Sequence, residues 1–464
     1  MYVTKFDTQY TRRQFLASAG RAALGAGMLA PLWDVIARDG DVSRAYPDEA
    51  LSIEHYSHGA VKPGGVIDAS NIEAVKDFLD PVVYLEVSQQ GRVIDVKAPE
   101  TDIMRLGPKS YIEATLRNRG SAHLDEKGNV RSKGGDRWIG GFPFPDGGRA
   151  QEIIAGHSLN WGRHDVSFFP VHEWNLDSND SLLFHYQYLF IEYMAAGRTV
   201  LDPKPFLPGH DDTLRYGTFL LTAPQTVKGT SVLNIWHYDQ SKLPEFFGFL
   251  PDFKRIRRFT TNQRFEPSVP ASNFYPTDSF MMGDPYLTWG NFKLVGKTPF
   301  IASVADRWWG EKDNWIIDRV GGTSGKRFFR STMELVPEAY VIDMEPVGYP
   351  DAPYGKKRIW FDARNLSPMA MVVYDRAGNI LKNYEQGTGV YQLPNGAAPN
   401  GTQWPETGDP YWSWTYTHLH NIQNDTISSP QQVREIDGGY RVRVDDPGVY
   451  EQFCTIPAVR RLGK

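Results

Sequence analysis

Leu182-Leu183-Phe184-His185-Tyr186-Gln187-Tyr188-Leu189-Phe190-Ile191 decides the fold class of this 464-residue chain. Leu182, Phe184, Tyr186, Tyr188 and Phe190 alternate with Leu183, His185, Gln187, Leu189 and Ile191, so an extended backbone carries one set on each side. A helix would instead gather residues three and four apart. The stretch therefore predicts a long strand buried on at least one face. Working outward, the same alternation recurs at residues 214–223, 231–238, 292–297, 340–346, 357–362 and 369–374, and Asp375-Arg376-Ala377-Gly378-Asn379 reads as a hairpin turn into residues 380–384. Nearer the C-terminus, Trp412, Trp414, Tyr416, His418 and His420 fall on one face of a further predicted strand.

Helix signals are few and lie early. Ser70-Asn71-Ile72-Glu73 reads as a capping box for a helix that ends before Pro81 and gathers Ile72, Val75, Phe78 and Leu79. A second helix is expected from Pro108 to Gly120, with Tyr111, Ile112 and Leu116 on its apolar side, and a weaker one over 150–159. Pro/Gly-rich stretches at 142–148, 202–208, 265–276 and 393–410 are long loops, because strand patterns resume on both sides without a change in composition. Aromatics at 13%, with 43 Gly and 32 Pro, fit a turn-rich β chain. The expected fold is mainly β: one strongly curved antiparallel sheet with a few helices on one side.

The N-terminus carries an address. Thr11-Arg12-Arg13-Gln14-Phe15-Leu16 precedes a weakly apolar Gly/Ala-rich stretch to Trp33, the pattern of a twin-arginine export signal read through Arg12, Arg13, Phe15 and Leu16. Small residues suit cleavage after Ala37 or Ala45, the second being preferred. The expected organisation is thus a cleaved leader over 1–45 and a single β domain over 46–464 with a C-terminal extension, soluble in the periplasm, with the twin-arginine translocase as a partner. The first 45 residues hold six Lys/Arg and four Asp, a net of +2, which takes the chain's formal −5 to −7 for the remainder. That charge offers no non-specific attraction to nucleic acid. Cys454 is the only cysteine, which excludes an intramolecular disulfide and cysteine-ligated zinc or iron–sulfur sites.

Enzymatic signatures are poor. Gly321-Gly322-Thr323-Ser324-Gly325-Lys326-Arg327 lacks the spacing of a phosphate loop and has Arg327 where Ser or Thr is needed; no Gly-x-Ser-x-Gly elbow and no His-Glu-x-x-His helix is present. No catalytic residue and no cofactor is therefore expected. His418 and His420, about 7 Å apart on one strand face, are weak metal-ligand candidates, since the sequence places no third ligand near them. The aromatic rows are the stronger signal. Tyr186, Tyr188, Phe190, Trp236, Trp360, Trp412, Trp414 and Tyr416 are the candidates for a cavity that holds an apolar guest, because rigid rings give contact area at low entropy cost. Arg255, Arg257 and Arg258 end a predicted strand, and at least one is expected to pair with a carboxylate across the sheet.

Four stretches together resemble a known family: Asn118-Arg119-Gly120-Ser121-Ala122-His123-Leu124-Asp125, Gly141-Phe142-Pro143-Phe144-Pro145, residues 247–258 from Phe247-Gly248-Phe249-Leu250-Pro251 to Arg257-Arg258, and Phe292-Lys293-Leu294-Val295-Gly296-Lys297. They are similar to the proteobacterial family called domain of unknown function thirteen-twenty-nine, from about Ser70 to the hairpin at 375–384. The resemblance implies a LolA/LolB-like fold, an unclosed antiparallel barrel with helices plugging its concave side, and similarity to outer-membrane lipoprotein-sorting proteins. It further implies a periplasmic role in handling hydrophobic molecules or lipids, in the company of RND-type exporters or outer-membrane proteins. The leading expectation is a non-enzymatic carrier or chaperone of a lipid-like ligand. The alternatives are a cofactor- or metal-dependent periplasmic enzyme and an exporter adaptor that binds no small molecule.

Overall fold

The computed structural model describes residues 28, 31–251, 255–260, 264–303, 313–320, 327–391 and 411–463. The twin-arginine motif with most of its Gly/Ala-rich stretch, residues 321–326 and the loop expected over 393–410 lie outside the described residues.

Among the described residues, sixteen strands join in one sheet. In chain order they are β1 (Val66–Ile67), β2 (Ile94–Lys97), β3 (Val166–Leu176), β4 (Leu182–Met194), β5 (Thr213–Ala223), β6 (Ser231–His237), β7 (Glu245–Leu250), β8 (Arg255–Phe259), β9 (Gly290–Ser303), β10 (Ser331–Glu345), β11 (Tyr354–Asp362), β12 (Pro368–Asp375), β13 (Ile380–Tyr391), β14 (Tyr411–Asn421), β15 (Thr426–Gln432) and β16 (Arg443–Val444). The spatial order is β1-β2-β10-β11-β12-β13-β14-β15-β3-β4-β5-β6-β7-β8, with β9 also on β10 and β16 also on β3. All pairs are antiparallel except β2 with β10. The two end strands do not meet, so the sheet is curved and unclosed, and irregularities between several strand pairs bend it.

β14 and β15 lie in the middle of the sheet, between β13 and β3. The region expected as a C-terminal extension therefore completes the central sheet. After β16, the helices Val449–Phe453 and Ile456–Leu462 pack Val449, Phe453 and Val459 against Phe168, Leu189 and Ile191.

The alternation in β4 holds. Tyr186 and Tyr188 join the largest core cluster, while Leu189 and Ile191 join a second cluster on the opposite face. We call the first the aromatic face. Its cluster includes Ile153, Ile154 and Ala155 from α4 (Ala150–Leu159). The opposite face carries the C-terminal helices and α2 (Pro81–Gln89). Within β4 only the hairpin tip is exposed, at Leu182, Leu183 and Phe184.

α3 (Lys109–Asn118) forms as expected, and Gly120 beyond it takes the left-handed φ of 73°. The helix expected over 70–80 does not form. Two separate 3₁₀ turns, Ile72–Ala74 and Lys76–Phe78, stand there, and Ser70 gives its hydroxyl to Asp68, so the capping box is absent. The true helix begins where the sequence reading ended it. Asp80 accepts from the Val82 and Val83 N–H groups, and Pro81 occupies the first turn, where its missing N–H costs nothing.

Within the expected leader, α1 (Leu32–Asp39) packs on the body. Leu32, Trp33, Val35, Ile36, Val42 and Ala45 are buried with Ile103, Leu106 and Ile112, and Asp34 pairs with Arg119. A chain starting at Tyr46 would uncover Ile103, Leu106 and Ile112. On β8, Arg258 reaches Glu245 at 3.0 Å, but its side chain is 65% exposed. Such a pair contributes at most about 1 kcal/mol, less than the buried pair expected there.

Candidate functional site

Central strands and one covering segment line an apolar cavity on the aromatic face. Val171 (β3), Tyr188 and Phe190 (β4), Tyr384 (β13), Trp414 and Thr417 (β14) and Pro430 (β15) form its floor; Phe274 and Phe280 roof it. Its volume is about 30 Å³, room for about two water molecules. Tyr188 donates its hydroxyl to Glu173 at 3.0 Å, and burial pushes the Glu173 carboxyl up. Trp414 is buried, and its indole N–H has no hydrogen-bond partner among the described residues. An unmet donor in an apolar wall is costly.

The roof belongs to a strap, residues 264–289, that forms no strand of the sheet. Buried charges pin it instead. Asp278 on the strap lies 2.7 Å from the Lys382 ammonium and 3.5 Å from that of Lys357, and Tyr354 donates to it at 3.2 Å; both lysines and Asp278 are fully buried. Lys382 also donates to the Asn273 carbonyl at 2.6 Å, and Lys357 to those of Thr277 and Met281. Burial, opposed by Asp278, brings Lys382 down to about 8. A second pin joins Arg264 to Asp284, which accepts from the Trp289 indole at 3.3 Å. His157 on α4 donates to the Phe280 carbonyl at 2.9 Å, and burial pushes this imidazole down to about 3, so the neutral ring holds the roof at pH 7.

Of the eight aromatic candidates, Tyr188, Phe190 and Trp414 come together at the cavity. Tyr186 belongs to the same face but bonds the Pro270 carbonyl, 3.0 Å away. Trp236 meets Trp161 edge-on and lies 4.6 Å from the Arg215 guanidinium. Trp412 lies under Arg163. Trp360 faces the other way and stacks on Phe300.

Tyr416 also departs from the expected single face. Gly387 pairs with Tyr416 but the next residue, Thr388, pairs with Trp414, leaving Thr415 as an extra residue in β14. This bulge reverses the parity of everything after it. Trp414 and Thr417 line the cavity, whereas Tyr416, His418 and His420 turn to the opposite face. Gly387 permits it, because a Cβ there would stand 2.2 Å from the Tyr416 ring.

On that opposite face a carboxylate that the sequence does not reveal meets the two histidines. Glu86, on α2, accepts on one oxygen from His418 Nε2 and His420 Nδ1, each at 2.9 Å. These three ligand atoms lie within 4.8 Å of one another. The other Glu86 oxygen accepts from Arg92 at 2.6 Å, and Arg92 also grips Glu385 through both oxygens, at 2.7 and 2.9 Å. His420 Nε2 contacts Asp425 at 3.0 Å, and Arg327 holds Asp425. Phe328 packs on both imidazoles.

Sequence reasoning missed Glu86, 332 residues from His418, and the roof residues Phe274, in the Pro/Gly-rich loop expected over 265–276, and Phe280 just beyond it. A glycine inside a strand pattern was the available sign of the bulge. Glu86 had no comparable signal.

The family model described as "Protein of unknown function (DUF1329)" matches residues 66–454, beyond the stretch ending at 384 that the sequence resemblance covers. No curated protein sequence matches the chain. Among solved structures, a domain from Vibrio parahaemolyticus named for outer membrane lipoprotein sorting is similar at 15% identity and a TM-score of 0.40, over 67% of this chain and 97% of its own. A DUF1329 family protein from Desulfovibrio piger is similar at 11% identity and a TM-score of 0.42, with the same coverages. A LolA superfamily protein from Nitrosomonas europaea is similar at 12% identity and a TM-score of 0.32, over 62% of this chain and 96% of its own.

Proposed function

The chain belongs to the family described as Protein of unknown function (DUF1329), and from the aromatic face of its sheet we propose that it is a periplasmic carrier or chaperone for a lipid-like or other apolar molecule. The observation that carries this reading is the ring-lined cavity roofed by a strap held through buried charge pairs instead of strand pairing. At about 30 Å³ the cavity as it stands is too small for an acyl chain. The strap must therefore lift. Phe274 and Phe280 leave with it, and the floor of Tyr188, Phe190, Tyr384 and Trp414 becomes the wall of a larger groove. Burial of apolar area, at about 25 cal/mol per Å², drives uptake, and the Trp414 indole N–H orients a carbonyl or ester oxygen.

Trp414→Ala tests the site. A carrier loses affinity for an environment-sensitive lipid probe by about tenfold, the worth of one well-placed ring and its donor. Its loss of stability also stays below the roughly 3–5 kcal/mol of a close-packed core tryptophan. Unchanged probe affinity with a large loss of stability would make Trp414 plain core. Failure of the parent protein to bind any apolar probe would favour the adaptor reading, for which the exposed Leu182, Leu183 and Phe184 tip offers a contact.

Location rests on Arg12 and Arg13. Replacing both by lysine should abolish export, because the translocase reads a planar guanidinium pair that an ammonium does not imitate. Normal periplasmic accumulation of the double variant would refute the twin-arginine route. No helix among the described residues is long and apolar enough to cross a membrane. An RND-type exporter or outer-membrane protein is the proposed recipient, to be sought by crosslinking in cells.

A further inference from the structure

We infer that Glu86, His418 and His420 form a binding site for one divalent transition-metal ion, zinc by ligand type, acquired while the chain folds. Nitrogen and carboxylate donors in a two-histidine, one-carboxylate set suit zinc and its neighbours and not calcium or magnesium. The spacing also suits it. With metal–ligand bonds of about 2.0–2.1 Å, tetrahedral ligands stand roughly 3.4 Å apart. The Glu86 oxygen is 2.9 Å from each imidazole nitrogen and all three ligand atoms lie within 4.8 Å of one another, so side-chain adjustments of up to about an ångström set them around an ion.

The surroundings are those of a metal site and not of a simple ion pair. His420 directs Nδ1 inward and gives Nε2 to Asp425 at 3.0 Å, the carboxylate–histidine arrangement that fixes a ligating ring. Arg327 steadies that carboxylate in turn. Glu86 is oriented by Arg92, whose own charge is matched by both oxygens of Glu385, so the ion meets a guanidinium that is already neutralised. The Phe328 ring covers the imidazoles. Three protein ligands leave the fourth position of a tetrahedral ion to water.

The side chains of Glu86 and His420 are fully buried and that of His418 is 4% exposed. Glu86 arrives on α2 and the histidines on β14, so the ligand set closes only when helix and sheet dock. An ion enters before or during that step, not through the finished surface. Arg12-Arg13-Gln14-Phe15-Leu16 points the same way, because export of a folded chain lets the metal be chosen in the cytoplasm. The inference stands apart from the carrier reading, and either can fail alone.

Metal analysis of the full chain, purified without chelators or an affinity metal, is expected to find close to one zinc per molecule. Protein refolded with Zn²⁺ after chelation should melt higher than protein refolded without it, and Co²⁺ refolding should give the visible absorption of a tetrahedral site. Asp425→Asn, at a partly exposed position, should fold and bind the ion about 10–100-fold more weakly. His420→Ala should lose it. Absence of metal from the purified protein, together with identical melting and no Co²⁺ spectrum after refolding, would overturn the site. So would an Asp425→Asn variant whose affinity equals the parent's.

Discussion

Asp278→Ala should remove about 3–5 kcal/mol of stability at pH 7, because it strands two buried ammonium groups at once. Lys357 and Lys382 keep backbone carbonyls and the ring faces of Trp289 and Tyr275 as neighbours, but they lose the carboxylate they share, and a buried charge without it must be desolvated with less compensation or lose its proton. The pH dependence identifies the cause. Lys382, already down to about 8 in the folded state, is depressed below its unfolded value near 10.5, so its charged form opposes folding at pH values below 8 and the penalty is relieved as pH rises from 8 towards 10.5. Without Asp278 the depression deepens and relief starts at lower pH. The deficit relative to the parent is thus largest in acid and shrinks as pH approaches and passes 8. Denaturant titrations of both proteins at pH 6, 7 and 9 check this; a deficit that grows with pH would exclude the charge explanation. The strap should also loosen locally, so amide exchange over 264–289 should rise more than exchange in β3 or β4.

Gly283→Ala should be at least as damaging, at about 4 kcal/mol or more. Gly283 has a φ of +67°, and a Cβ there would stand 2.3 Å from the Pro276 carbonyl oxygen and 2.4 Å from the Thr277 carbonyl carbon. The left-handed conformation alone costs an alanine about 1–2 kcal/mol, and backbone atoms cannot swing aside as a side chain can. The turn must open, pulling Asp284 away from Arg264 and disturbing Asp278 five residues upstream. Because the damage is confined to the strap, the two measurements separate: melting falls, while the floor of the cavity becomes more accessible to an apolar probe. Gly378→Ala offers the control. Its φ is +85° but nothing lies within 4 Å of a Cβ, so only the conformational cost of about 1–2 kcal/mol is expected.

The fold class was legible because alternation is a local property. Leu182 to Ile191 carries its own two-residue period, and no knowledge of neighbours is needed to see which residues share a side. The hairpin at Asp375 and the helix after Pro108 are similarly written into a few adjacent residues. Tyr188, Phe190 and Trp414 could be named as wall candidates for the same reason. What alternation cannot register is a single inserted residue. One bulge at Thr415 turned His418 and His420 away from Trp414, and it exists because Gly387 on the partner strand leaves room for the Tyr416 ring. Asp80 likewise overrode the reading of Pro81 as a stop, since a proline ends a helix or begins one according to the cap before it. The partners of the buried charges were beyond any local reading. Glu86 meets His418 across 332 residues, and Asp278 on the strap meets Lys382 on a distant strand. Local sequence determined which side chains each strand can offer; only the packing of distant segments decided which charges are buried, what roofs the cavity and where a third ligand arrives, because those depend on long-range docking that no local period encodes.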